Sequence, residues 1–513
     1  MIFDYYVWLD CPVQVLLEVN RQWRSVALFR QPLWRRLLLS ADTIPPSLRG
    51  GNVHACGSSD AVKLVLERSG VSKLEITLVL GPDGPKSPKP EDRATLFKTV
   101  KGGPLLRATF LCIFIYPQMT LDLVWGSLEG VFEGSLPALE SMAIVSVYQI
   151  GNLYGPLEAL FRLIEWSSPN LRKVYLENVG PDFIIKASAY KFWKRLARLT
   201  ILKETDAIDA TIFASCANLE FLSFSGELSY TDQVVRKPVE FPLLQWLHVG
   251  VISMETLRNL KLSVLHSMVI HTVQGSYPMS APDPHTLVLK ELKILHVTTV
   301  NPSVACIVAP KLETLCLGIP TLKNADADNV LNAIFDGSDN MIKPRHLTLT
   351  APVHDKHLIN ALKHLPDLMS LQLDHQVPFS KTFFQAMTPA VSLVPSRHQR
   401  SRKSTRPIIC PKLRCLVLDV HRAAAGMDMS AVPGMDMSVV PGKDPGSTVP
   451  VNSELTANWI RDSLLRLMEL RKGAVGYEEL LRLACKWSEN GPNEELVQPT
   501  MCLSCIEVKA AGG

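Results

Sequence analysis

Six segments of the chain share one pattern of apolar spacing: LPALESMAI (136–144), SPNLRKVYL (168–176), FPLLQWLHV (241–249), APKLETLCL (309–317), LPDLMSLQL (365–373) and CPKLRCLVL (410–418). Each reads Pro-x-L-x-x-L-x-L, where L is a large apolar residue. The same L-x-x-L-x-L without the proline occurs in LARLTI (196–201), LEFLSF (219–224), LHSMVI (265–270) and LKILHV (292–297), and PRHLTL (344–349) is a weakened copy. The x-L-x-L part alternates with period two, as a strand with one buried face must. The proline is expected just before the strand, where no ladder donor is needed. The first leucine of each copy is expected to enter the core from the preceding turn.

From Leu139 to Leu368 the copies recur unevenly, about every 25 residues, within the range of leucine-rich repeats. No single copy can bury its own apolar face, so neighbours must stack. Segments such as DNVLNAIFD (328–336) and DKHLINALKHL (355–365) fit helices returning the chain between strands. The fold class expected is therefore an α/β solenoid, an irregular leucine-rich-repeat horseshoe. With the leucines inward, the intervening strand residues face the concave side, which a solenoid presents to partners. That places Lys173, Tyr175, Arg198, Thr200, Trp246, His248, His296, Ser370 and Gln372 on the partner-binding face. Trp246 stands out, because exposed tryptophan is enriched at binding hot spots.

Apolar residues make up 47% and charged residues 20% of the 513, ordinary for a folded chain. A net charge of +4 gives no basic excess of the kind nucleic acid attracts. Eleven cysteines scattered singly do not make a secreted disulfide framework. The N-terminus MIFDYYVWLDCP is a poor signal peptide, and the apolar run LCIFIY (111–116) is far too short to span a bilayer. A cytoplasmic or nuclear protein with reduced thiols, without membrane partners, is expected.

Chemistry-bearing motifs are sparse. There is no nucleophile elbow, phosphate-binding loop, His-Glu-x-x-His or dinucleotide fingerprint. Cys502 and Cys505 form a C-x-x-C without a second pair, short of the four ligands zinc takes. Asp326 and Asp328 start a D-x-D without the rest of a calcium loop, and Asp328 reads better as a helix cap. His248 and His296 share a repeat position, but register sets them about 10 Å apart, too far for one zinc. No enzyme activity, cofactor or metal is expected.

Other segments divide the chain. GPDGPKSPKP (81–90) reads as a loop or linker. PSRHQRSRKSTRP (395–407), with five basic residues, interrupts the repeats as a solvated insertion. An octapeptide duplicates as GMDMSAVP and GMDMSVVP within 426–441. NSELTANWIRDSLLRLMELRK (452–472), offering Leu455, Trp459, Leu464, Leu467 and Met468 for burial, and YEELLRLACKW (477–487) read as helices that cap the array. The expected organisation is a helical segment at 1–45, linker and first irregular repeats at 46–136, and the solenoid at 137–420 with an insertion at 378–408. A low-complexity linker at 421–451 and a helical C-terminal cap and tail at 452–513 follow.

Near the N-terminus, VNRQWRSVALFRQPLW (19–34) puts Val19, Trp23, Val26 and Ala27 on one helical face, with Arg21 and Arg24 toward solvent. Pro32 stops the helix, and Leu33-Trp34 folds back as an apolar plug. Through Val19, Arg21, Trp23, Arg24, Val26, Ala27, Pro32, Leu33 and Trp34 the stretch resembles the second half of an F-box, as in fungal proteins that join an F-box to irregular leucine-rich repeats. Asn20 stands where that family usually has cysteine. The family's opening Leu-Pro-x-Glu segment has no counterpart before residue 19, so the resemblance is to an N-terminally incomplete F-box. LERSGVSKLEITLVL (66–80) resembles the segment that often follows, a helix ending in a Ser-Gly turn and leading into a first strand. The resemblance implies adaptor binding through Val19, Trp23, Arg24, Val26, Ala27, Pro32, Leu33 and Trp34. The partners implied are a Skp-type adaptor, its cullin complex and an unknown protein target. The function implied is a non-catalytic substrate-recognition subunit of a ubiquitin ligase. The alternative is a repeat scaffold with a degenerate F-box and no ligase role.

Overall fold

A computed structural model describes residues 17–40, 54–80, 90–116, 136–150, 161–162, 164–202, 207–230, 238–274, 286–299, 302–318, 331–335, 342–350, 353–375, 381–387, 409–413, 415–421 and 482–488. They fall into two compact units, Met1–Leu265 and His266–Gly513. The basic insertion, the duplicated octapeptide, the 452–472 segment, Asp326, Asp328 and the C-x-x-C pair lie outside the described residues, as do residues 81–89.

The first unit holds β1 (Arg36–Ser40), β2 (His54–Cys56), β3 (Leu74–Leu80), β4 (Ala108–Ile115), β5 (Ser141–Ile150) and β6 (Lys173–Val179). It continues with β7 (Arg198–Leu202), β8 (Ala207–Asp209), β9 (Phe221–Ser229), β10 (Val239–Glu240), β11 (Trp246–Ser253) and β12 (Leu260–Lys261). Neighbours run β2, β1, β3, β4, β5, β6, β7, β9, β11, all parallel, and β8 lies beside the second half of β9. The two-residue strands β10 and β12 pair in a separate small sheet. The second unit holds β13 (Ser267–Gln274), β14 (Leu287–Val288), β15 (Ile294–Thr299), β16 (Ile307–Val308), β17 (Thr314–Gly318), β18 (His346–Thr350), β19 (Ser370–His375), β20 (Cys415–His421) and β21 (Arg482–Ser488). Its ladder runs β13, β15, β17, β18, β19, β20, β21, again parallel, with β14 and β16 paired apart.

Parallel neighbours require a crossover between successive strands. Helical pieces supply several of these returns, including Pro181–Ala187, Met254–Arg258, Asp355–Lys363 and the 3-10 turn Ala210–Phe213. Every copy of the L-x-x-L-x-L pattern forms a strand. The paired leucines line up in rows: Val174, Leu199, Leu222 and Leu247 are in register, and so are Leu176, Ile201, Phe224 and Val249. All eight are buried. In the second unit Met268, Leu295, Leu315, Leu347, Leu371 and Leu416 make the equivalent buried row.

The proline's role differs from the expected one. It is the second residue of a tight turn, not the residue that opens the strand. In all six proline copies the first leucine donates its N–H to the carbonyl three residues back: Leu139 to Leu136, Leu171 to Ser168, Leu244 to Phe241, Leu312 to Ala309, Leu368 to Leu365 and Leu413 to Cys410. Proline is favoured there because its fixed φ suits the turn. The residue before it is buried in each case, apolar in five copies and Ser168 in the sixth, so the repeat extends one buried position further back than the proline. The third turn residue often clasps the previous rung: Asn170 Nδ2 donates to the Pro137 carbonyl (2.8 Å), and Asn218 Nδ2 to the Lys194 carbonyl (3.0 Å).

Rungs also approach too closely in places for a side chain. Gly250 sits at a register shift between β11 and β9, and a Cβ there would lie 1.8 Å from the Ser225 carbonyl oxygen. Only glycine fits such an approach.

The N-terminal segment departs from expectation in two ways. First, the helix is interrupted. Asn20 is extended (φ −165°), and its Oδ1 accepts from the Trp23 N–H at 2.9 Å, capping α1 (Arg21–Phe29). Val19 therefore precedes the helix and shares no face with Trp23 and Val26. Second, residues 36–40 are strand β1, not part of a helical module. The ladder starts with β1 and β2, and β3 and β4 stack as rungs within the stretch where the first irregular repeats are expected. The 66–80 segment behaves as expected locally. The helix α2 (Ser59–Ser69) ends at Gly70, whose φ of 52° suits glycine, and leads to β3. At the other end, residues 482–488, expected within a helix, form β21 in register with β20. The alternation Leu483, Cys485, Trp487 carries a period-two signal that competes with the helical one.

Candidate functional site

The nine expected face residues all lie on strands, at positions alternating with the buried rows, but the two units divide them. Lys173, Tyr175, Arg198, Thr200, Trp246 and His248 belong to the first unit. His296, Ser370 and Gln372 belong to the second.

In the first unit the strand register assembles two rows, one largely exposed and one half-buried to buried. Lys173 pairs with Arg198, Arg198 with Phe221, and Phe221 with Trp246. One residue pair further along, Tyr175 pairs with Thr200, Thr200 with Ser223, and Ser223 with His248. Lys173, Arg198 and Trp246 are exposed, Trp246 at 41%, while Phe221 is half-buried. The Arg198 guanidinium sits over the Phe221 ring, 5.8 Å from its centroid, a cation–π distance. Lys173 and Arg198 make no ion pair among the described residues. Phe221 escaped the sequence reading. It occupies the position of Lys173, Arg198 and Trp246 within its own copy, LEFLSF, so a position-by-position comparison of copies finds it.

The second row is hydrogen-bonded and quiet. Ser223 Oγ and His248 Nδ1 lie 2.9 Å apart. The Tyr175 hydroxyl donates to Glu177 Oε2 at 2.6 Å, and its pKa is raised by burial first, then by that bond and the Glu177 charge. Burial pushes the thiol of Cys112, on β4, up to about 12. Neither the Tyr175 hydroxyl nor the Cys112 thiol is activated as a nucleophile near neutral pH.

In the second unit, His296 pairs with Val269 and Cys316, and Gln372 with Thr348. Burial lowers the His296 pKa, and His271 lowers it further. Among the described residues there is no cluster of three His, Cys, Asp or Glu that could hold a metal. Nor is there a helix long and apolar enough to cross a membrane. A cleft of about 730 Å³ opens at the turn side of β17–β20, lined by Lys311, Glu313, Lys343, Arg345, Asp367 and Lys412 among others. Two of its cations are already engaged: Lys311 pairs with Glu291 and Lys412 with Asp367, both at 2.7 Å.

The F-box-like residues fall into two groups. Ala27, Leu33 and Trp34 are buried in the first rung. Trp34 Nε1 donates to the Ala27 carbonyl at 2.9 Å, and its ring stacks on His54 with centroids 4.4 Å apart. Arg68 of α2 covers the ring at 4.6 Å. Trp34 is thus a core residue, not a docking one. Val19, Arg24, Val26 and Pro32 are exposed, Trp23 is half-buried, and Phe29, outside the expected set, is 84% exposed.

No family model matches the chain, and no curated protein matches it. Among solved structures, one match is a leucine-rich-repeat protein of Leptospira interrogans, at 15% identity, covering 62% of this chain and 85% of that one, with a TM-score of 0.23. At that TM-score the likeness carries no argument. The repeat architecture rests on the chain's own register, and the F-box resemblance on residues 19–34.

Proposed function

We propose that the chain is a non-catalytic protein-interaction scaffold that holds a partner on the exposed strand face of its first unit. The row Lys173, Arg198, Phe221 and Trp246 carries this reading. Arg and Trp are the residue types that dominate binding energy at interfaces, and here they lie in register on a rigid ladder. The second row flanks it, with Ser223 hydrogen-bonded to His248 and Tyr175 to Glu177. The test compares proteins retained by the immobilised full chain with those retained by Trp246→Ser. A defined set retained by the wild type and lost from the variant, at unchanged thermal stability, is expected. An unchanged set overturns the reading.

A narrower reading adds a Skp-type adaptor of a cullin ubiquitin ligase, with the strand face holding the ligase target. It is favoured by α1, which leaves Val26 (42%) and Phe29 (84%) exposed after Ala27 and Trp34 have joined the core. Co-purification with a Skp-type adaptor tests it. Retention by the wild type and loss on V26D/F29D supports the adaptor role. No retention by the wild type removes the ligase and leaves the scaffold.

A further inference from the structure

We infer that the first unit's strand face selects partners carrying an acidic side chain two to four residues from a large apolar one, in an extended segment. This rests on the scaffold reading and names its partner class.

Lys173 and Arg198 are directly paired across β6 and β7, so their backbones are one strand spacing apart, about 4.8 Å. Like charges directly opposite one another are unfavourable in a sheet. Proteins usually offset such a pair with a carboxylate nearby. Here the row neighbours are Ser141 on one side and Phe221 on the other. Glu177, four residues beyond Lys173 on the same strand, accepts the Tyr175 hydroxyl, and Glu140 is paired with Lys73 at 2.9 Å. A carboxylate brought between Lys173 and Arg198 would answer both cations at once. The guanidinium, already placed over Phe221, loses less freedom in doing so than an unpositioned one.

Beyond the cations the row turns aromatic. Phe221 and Trp246 are paired, and Trp246 remains 41% exposed. The midpoint of the cation pair and the midpoint of the aromatic pair are two strand steps apart, about 10 Å. An extended chain rises about 3.3 Å per residue, so that distance corresponds to about three residues. One segment crossing the strands would therefore place an acid on Lys173 and Arg198 and a large apolar side chain on Phe221 and Trp246. Single-stranded nucleic acid also combines phosphates with stackable rings, but it follows a positively charged groove. This row has one cation pair, with Glu75 in the same row two strands beyond Ser141. An acidic peptide fits better.

The test selects a phage-displayed random dodecamer library on the immobilised full chain, on K173S/R198S and on W246S. Enrichment on the wild type of peptides with Asp or Glu two to four residues from an aromatic or aliphatic residue is expected, falling at least tenfold on both variants. Peptides enriched without an acidic bias, lost on W246S but kept on K173S/R198S, overturn this inference and leave the scaffold reading standing. No enrichment on any form overturns both. Tighter binding of oligothymidylate than of the enriched peptides also overturns the inference, in favour of nucleic acid.

Discussion

At the scale of single residues, two side chains do work that backbone geometry alone cannot. Asn178 has φ 55°, the left-handed region, and is buried at the end of β6. Its Nδ2 donates to the Ser146 carbonyl of the neighbouring rung at 2.5 Å. Asparagine tolerates this conformation better than most residues, and its amide reaches the neighbouring rung where the register shifts between β5 and β6. Asn178→Ala removes the bond and puts a Cβ in a disfavoured conformation. It should destabilise by about 2–3 kcal/mol in denaturant unfolding. Asn178→Gly should recover the conformational part only. His54 is the second case. Its Nε2 lies 2.8 Å from the Leu33 carbonyl, so the neutral ring carries its proton there. Burial lowers its pKa below the ordinary 6.5, outweighing that hydrogen bond, and Arg68 adds to the lowering. A depressed pKa means the unfolded chain binds the proton first as pH falls. Stability from this site is complete above about 6.5 and declines as pH drops through the folded value. Urea midpoints measured between pH 7 and 5 should fall, and His54→Gln should flatten that part of the slope.

At the scale of the element, the proline turn and the leucine that follows it contribute through different states. Pro169 restricts the unfolded chain, whereas Leu171 fills the core of the folded one. Pro169→Ala should cost about 0.5–1 kcal/mol, acting mainly through the unfolded ensemble. Leu171→Ala, at a fully buried position, should cost about 2–5 kcal/mol. Paired denaturation curves distinguish them, and equal losses would contradict the turn assignment. The elements also show what the sequence made legible. Period-two spacing in eleven copies located eleven strands, because one buried face leaves an alternation that no helix mimics over so many copies. β1 was hidden for the opposite reason. RLLLS is a short unbroken apolar run beside a strong helical pattern, and periodicity cannot separate such a run from a helix end. Trp34 is the apolar plug read from the sequence, but what it plugs was not legible. Its partners, His54 and Arg68, are distant in sequence, and only the ladder brings them onto its ring. Val19 was lost to Asn20, whose capping role competes with a continuous helix.

At the scale of the whole molecule, the cysteines make a statement that no single rung makes. Cys56, Cys112 and Cys216 are buried in the first unit, and Cys316 is half-buried in the second. Burial is the leading cause in each case, raising Cys56 and Cys316 to about 11 and Cys112 and Cys216 to about 12 from an ordinary value near 9.0. Such thiols carry almost no thiolate at neutral pH, so iodoacetamide should label them far more slowly in the folded chain than in urea. The same shifts set a pH dependence. Between about 9 and 11 or 12 the unfolded chain loses thiol protons that the folded chain keeps. The folded state then binds more protons, and stability falls as pH rises. A two-unit shift corresponds to on the order of 3 kcal/mol lost per thiol once pH has passed the folded value. Lysine and tyrosine titrate in the same range, so the thiol contribution must be isolated by substitution. C112A should make the decline between pH 9 and 11 shallower than in the wild type while costing little at pH 7. An unchanged slope would mean that Cys112 meets water in the folded chain, and that the row joining Thr77, Cys112, Ala143 and Tyr175 is more open than its register implies.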